Sequence, residues 1–284
     1  MISFSNTKFL AIGVGIAIVG VSFLLIQDSD AKNSTYSGPP KAIIIDQLYD
    51  EIPSKSFHDR ATQYLETGGY EVDIVTTQNV TVDLFKKLPK MNYDYVVIRT
   101  HGVLDASADA PVVLFTGERY NTESYIQEQL FGQIKKGTPL GNINFQLSEH
   151  DSSDWVQINE TARSITTPVR HEETSDEYFL IPTKFVDEVM EGKFSQTTFL
   201  LGGCKTMANP SMAESLINRG ASSVVGWDEN VGSYDNDNAL LRIIEENIVN
   251  KMEISEAVEL VKNEIRWTNY DLQPDLELYQ SMKA

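Results

Sequence analysis

Two side chains in this sequence have the chemistry for acyl transfer and occupy matching local contexts. His101 closes the run Val96-Val97-Ile98-Arg99-Thr100-His101 and is followed by Gly102. Cys204 ends the run Thr198-Phe199-Leu200-Leu201-Gly202-Gly203-Cys204. Each follows an apolar stretch of the length and composition of a buried strand, and each has a glycine beside it. A thiol attacks only as its thiolate, and an imidazole within reach takes that proton and later returns it to a leaving amine. Gly102 lacks a Cβ, so backbone there can approach a substrate closely. Its N–H and that of Cys204 are suited to facing a developing oxyanion. Taken singly, each residue also has a plain structural reading: a lone cysteine after a strand is usually a core residue, and a lone histidine in a loop is often just hydrogen-bonded. The catalytic reading rests on the two arising at equivalent positions.

Those positions depend on the elements around them. Lys41–Asp46 (KAIIID), Glu71–Val75, Tyr95–Arg99, Thr197–Leu201 and Ser222–Trp227 read as strands. Phe57–Thr67, Thr81–Lys87, Thr183–Glu191, Pro210–Arg219 (closed by Gly220), Asn238–Asn250 and Ser255–Trp267 read as helices. Strands alternating with helices predict a mostly parallel central sheet with right-handed crossovers, flanked by helices in three layers. Such sheets bind ligands at the carboxyl ends of their strands, where both His101 and Cys204 fall. The stretch of about 110–182 breaks the pattern. Val112–Thr116 reads as a strand, and Asp151–Thr167 is rich in Thr, Ser and Ile, so this region is expected to be an insertion of extra strands.

Composition narrows the function. The net charge of −18, spread along the chain, excludes recognition of nucleic acid through phosphates, which needs clustered Lys and Arg. It favours basic ligands or simple solubility. One cysteine permits neither an internal disulfide nor a cysteine-based zinc site, and His58, His101, His150 and His171 have no metal-binding spacing. No cofactor is expected.

The order strand-His-Gly, then much later strand-Gly-Cys, resembles the caspase-like cysteine peptidase superfamily that includes caspases, gingipains, legumain and separase. The segment from Gly202 to Lys262 is similar to the end of CHAT domains. These typically carry a cysteine after a strand, a helix ending in a Gly-Ala turn, a strand closing in Trp, an acidic loop and two helices. Gly220-Ala221-Ser222-Ser223-Val224-Val225-Gly226-Trp227 matches that run. The resemblance spans about Lys41 to Lys262. It implies a caspase-like fold, His101 as general base, Cys204 as nucleophile and Gly102 as an oxyanion donor. The caspase pentapeptide is absent, so aspartate specificity is not implied. Lys205 stands where CHAT domains usually have an acid. Specificity in this superfamily is often for a basic residue read by an acid, for which Asp228 and Asp235 are the candidates, with Asp237 beside them. Each also reads as an ordinary turn acid or helix cap. Asp105 is a further candidate, for orienting His101. The expected activity is cysteine endopeptidase cleavage of protein or peptide substrates. The principal alternative is a catalytically silent peptide- or partner-binding module; a surface structural module and another Cys–His acyl transferase are the others.

The amino terminus supplies an address. Phe9–Ile26 is 18 residues without a charge, preceded by Lys8 and followed by Asp28 and Asp30. It reads as an uncleaved single-pass transmembrane anchor (residues 1–27) that leaves the remainder outside the cytoplasm. The polar stretch 28–40, ending in Gly38-Pro39-Pro40, reads as a linker to a catalytic domain over 41–284. The sequons at Asn33, Asn79 and Asn159 agree with an exterior location.

Overall fold

The apolar runs that mark buried strands lie side by side. A computed structural model describes residues 38–104, 111–119, 169–170, 177–265 and 273–281. Its central sheet has six strands: β1 (Lys41–Asp46), β2 (Glu71–Thr76), β3 (Tyr95–Arg99), β8 (Thr197–Gly202), β9 (Ala221–Trp227) and β10 (Leu276–Gln280). Their spatial order is β10-β9-β8-β3-β1-β2. All neighbours run parallel except β10, which is antiparallel to β9.

The inner strands β1, β3, β8 and β9 are covered on both faces, and so they read as near-continuous apolar runs. Along β1 the side chains alternate between faces. Ile43 and Ile45 join one core cluster with Phe85, Phe185 and Met212, whereas Ala42 and Ile44 join another with Phe57, Leu240 and Val258. The first face carries α2 (Val82–Lys87), α3 (Thr183–Glu188) and α4 (Ser211–Asn218); the second carries α1 (Lys55–Thr67), α5 (Ser233–Ile244) and α6 (Ile254–Glu264). The result is a mixed α/β architecture of helix, sheet and helix layers.

Helix boundaries follow local chemistry. Thr81 caps α2 by accepting a hydrogen bond from the Leu84 N–H, with Asp83 in the first turn and Lys86 and Lys87 in the last. Gly220, in the left-handed region at φ +104°, lets the chain turn from α4 into β9, and a Cβ there would lie 2.3 Å from the Phe194 carbonyl oxygen. Helix α5 starts five residues before the apolar periodicity does, because its first turns bury Asp235, Asn236 and Asp237 rather than apolar groups. It then passes into a π-helical turn over Glu245–Val249.

The irregular middle of the chain contributes strands. β4 (Gly102–Leu104), β5 (Val112–Arg119), β6 (Val169–Arg170) and β7 (Glu177–Pro182) form a second sheet, ordered β4-β5-β7-β6 and antiparallel throughout. Val112, Leu114, Phe179 and Ile181 pack into the first core cluster, so the second sheet backs onto the α2, α3 and α4 face. Strand β4 begins one residue after His101, and so this second sheet holds the carboxyl side of the histidine loop.

The anchor expected over 1–27, most of the linker, Asp105, the stretch 151–167, Asn33 and Asn159 lie outside the described residues. Among the described residues no helix is long and apolar enough to cross a membrane.

Candidate functional site

His101 and Cys204 leave the central sheet from adjacent strands. β3 and β8 pair in parallel with Arg99 opposite Gly202, and the Thr100 N–H extends the ladder by donating to the Gly202 carbonyl at 2.9 Å. Both loops therefore emerge at one carboxyl edge. Glycine makes their packing possible. A Cβ on Gly203 would lie 2.2 Å from the Thr100 oxygen, and one on Gly102 would lie 2.3 Å from the Cys204 oxygen. Each glycine of one loop meets the backbone of the other, closer than any side chain allows.

Thr206 fastens the cysteine loop from below. Fully buried, its hydroxyl lies 3.0 Å from the Leu201 oxygen and 3.1 Å from the Gly203 oxygen, and it accepts the Trp227 N–H at 3.1 Å. Lys205 takes a left-handed conformation at φ +57°, held by its N–H donating to the Glu229 carbonyl at 3.0 Å. A strained non-glycine residue of this kind persists only where its surroundings impose it. Cys204 is half-buried, and its thiol donates to the Val231 carbonyl at 3.6 Å, not to His101.

His101 is held at its backbone and at its ring. Its N–H donates to Gln47 Oε1 at 3.2 Å, and its carbonyl accepts the Phe115 N–H at 3.1 Å. That second bond makes His101 and Phe115 a hydrogen-bonded pair of the β4–β5 ladder. The next pair, Gly102 and Leu114, is therefore a non-bonded one, and the Gly102 N–H points away from β5. The imidazole stands edge-on to Phe115 with ring centres 5.6 Å apart, and its Nε2 lies 3.0 Å from Glu51 Oε1.

Beneath this edge lies a buried ionic cluster. Arg99 at the end of β3 donates through Nε and Nη2 to the Asp237 carboxylate at 2.7 and 3.2 Å, and through Nη1 to Asp46 at 3.1 and 3.3 Å. Asp46 also accepts the Leu48 N–H at 3.0 Å and lies 2.7 Å from His58 Nε2. Burial works against the guanidinium charge, but the bonds and fields of Asp237 and Asp46 outweigh it and hold its pKa above the usual arginine value. Asn236 completes the cluster, bonding Asp237 at 3.4 Å and accepting the Trp227 indole N–H at 2.9 Å.

The candidate specificity acids are dispersed. Asp228 is half-buried at the end of β9, on the same edge as Cys204, and its Oδ1 accepts the Asp275 N–H at 2.7 Å where the chain enters β10. Asp235 lines a cavity of about 380 Å³ on the outer helical face with Arg60, Tyr234 and Arg242, and neither His101 nor Cys204 is among its lining residues. Asp237 is engaged by Arg99. Among the described residues no cluster of three or more His, Cys, Asp or Glu is arranged to hold a metal ion.

Two contacts of His101 were not foreseen from sequence: Glu51 and Gln47. Both lie in the loop after β1, which opens on the same edge of the sheet. The acidic run Asp46 to Glu51 directly after a buried strand was the only available signal. No protein-family model matches the chain, and no curated protein is significantly similar to it.

Proposed function

We propose that this chain is a cysteine endopeptidase of the caspase-like superfamily, closest to CHAT domains, with His101 and Cys204 as its catalytic dyad. The observation that carries the reading is the pairing of β3 with β8, which sends both residues out from neighbouring strand ends into glycine-interlocked loops. In the reaction, the Cys204 thiol gives its proton to His101 and the thiolate attacks the scissile carbonyl carbon. A C–S bond forms as the carbonyl π electrons move to oxygen. The N–H groups of Gly102 and Cys204 receive that oxyanion. Its collapse breaks the C–N bond, and the imidazolium protonates the leaving amine. Water, deprotonated by His101, then cleaves the thioester, and the proton returns to the thiolate. The thiol must first leave the Val231 carbonyl, in keeping with the loose catalytic contacts common before substrate binds.

A preference for cleavage after a basic residue is part of the proposal. It is supported by the −18 net charge and by Asp228 on the shared edge, while Asp237 is already neutralised by Arg99. The apolar run Phe9–Ile26 would tether the enzyme to a membrane with this domain outside the cytoplasm.

The test is labelling with an electrophilic peptide probe, alongside hydrolysis of a panel of Arg, Lys and Asp peptides. Cys204→Ala is expected to abolish labelling. His101→Ala is expected to lower kcat by about 10²- to 10⁴-fold, the usual contribution of a general acid–base. A folded wild-type protein that neither labels nor cleaves would overturn the reading. It would favour the second one, a silent peptide-binding module, which the Cys204–Val231 hydrogen bond supports.

A further inference from the structure

The geometry points to Glu51 as a positioning residue that fixes the ring orientation and tautomer of His101, with Gln47 holding the same residue by its backbone; this rests on the dyad proposed above. Both come from the loop between β1 and α1. Glu51 Oε1 lies 3.0 Å from His101 Nε2, and Gln47 Oε1 accepts the His101 N–H at 3.2 Å. The ring edge against Phe115 removes a further degree of freedom.

The loop is itself held in place. Asp46 accepts the Leu48 N–H, the Gln47 N–H donates to the Arg99 carbonyl at 2.9 Å, and the Glu51 and Ile52 N–H groups close onto the Leu48 carbonyl at 3.1 and 2.7 Å. The Thr100 hydroxyl, one residue before His101, lies 3.2 Å from Gln47 Oε1 and 2.9 Å from the Phe115 carbonyl oxygen. Two residues of one anchored loop therefore clamp the histidine at its two ends.

The chemistry follows from the nitrogen that Glu51 engages. A carboxylate accepts only, so it selects the tautomer with the proton on Nε2. Nδ1 then carries the lone pair. When the Cys204 proton moves to Nδ1, the Nε2–H stays with Glu51, and the imidazolium formed faces a negative charge. In this role Glu51 acts through His101, on whose Nε2 its carboxylate sits. The side chains of the pair are 30% and 32% exposed. Its effect should therefore fall well below the ~10⁴-fold cost of replacing a buried triad aspartate, at about 10- to 100-fold.

The experiment measures peptide hydrolysis and, separately, the rate of Cys204 alkylation by iodoacetamide, a reagent too small to need a peptide site. Glu51→Gln is expected to lower kcat about 10- to 100-fold with KM and melting temperature unchanged, and to slow alkylation in parallel. Glu51→Ala should recover part of both rates in added formate, because the missing carboxylate faces solvent. A purely structural role would move melting temperature and KM and would not respond to formate. Full retention of kcat and alkylation rate in Glu51→Ala, or losses that formate does not restore, would overturn the inference. If wild-type protein cleaves no peptide yet its alkylation depends on Glu51 and formate, the positioning role stands and the peptidase reading fails.

Discussion

At the amino end of β3, Tyr95 is 2% exposed and its hydroxyl has no hydrogen-bond partner among the described residues. At the carboxyl end, four residues on and facing the same helical layer, Arg99 is fully buried and makes four hydrogen bonds to two carboxylates. Both are buried polar groups on one strand, yet one is held by two carboxylates and the other has no hydrogen-bond partner among the described residues. The difference lies in what each end of the strand must hold. Arg99 leads directly into Thr100 and His101, where the loops after β1 and β8 meet the first turns of α5. Tyr95 packs in the apolar core with Tyr70 beside it, ring centres 6.1 Å apart, and its bulk is what the core uses. A buried charge held between two carboxylates specifies an arrangement, whereas an unpaired hydroxyl costs stability and specifies nothing.

The largest effect is expected at Arg99. Arg99→Met would leave Asp46 and Asp237 buried without their cation, an expected loss of about 3–5 kcal/mol by urea unfolding. A loss under ~1 kcal/mol would mean that the cluster is not what holds the edge. Next in size is Gly102→Ala. The added methyl meets the Cys204 carbonyl backbone, so the two loops must part. Peptide hydrolysis is expected to fall about 100-fold, as a misplacement near 1 Å commonly does, with far-ultraviolet circular dichroism unchanged. Hydrolysis within twofold of wild type would show that the interlock is dispensable.

The amino end responds to alkali. Burial raises the Tyr95 pKa above its ordinary value of 10, with Tyr70 adding to the effect. The native hydroxyl therefore stays protonated where the unfolded one ionises, and the unfolded state binds fewer protons above pH 10. Stability from this group is complete below pH 10 and should fall above it by about 1.4 kcal/mol per pH unit. Melting temperatures from pH 9 to 11 would show this, with Tyr95→Phe falling less steeply. The smallest effect is Tyr95→Phe at neutral pH. It removes an unpaired buried hydroxyl and keeps the ring, so it should leave stability unchanged or raise it by ~1 kcal/mol. A loss of more than ~1 kcal/mol in the same melts would reveal a partner for the hydroxyl.

The five parallel strands of the central sheet, β5 and most helices were legible in the sequence because their signals are local, whereas β4, β6 and β7 fell within or beside a stretch read only as an insertion. An apolar run such as Tyr95–Arg99 marks a doubly covered strand whatever its partners, and a threonine cap or a left-handed glycine ends a helix through its nearest neighbours. β10 was not legible: Leu276–Gln280 is a short edge strand, half-exposed and without a clear period. The start of α5 was missed for the opposite reason, since Asp235 to Asp237 look like a solvated turn until their burial is known. Within the candidate site, the types and strand-end positions of His101, Gly102 and Cys204 could be read directly. Their partners could not. Glu51 lies 50 residues from His101, and Asp237 lies 138 residues from Arg99. Sequence singled out which groups of this protein are suited to chemistry and which segments present them. Only the tertiary structure decided which carboxylate meets which cation and where the thiol points, because those choices depend on strand order and loop packing between residues that no local pattern connects.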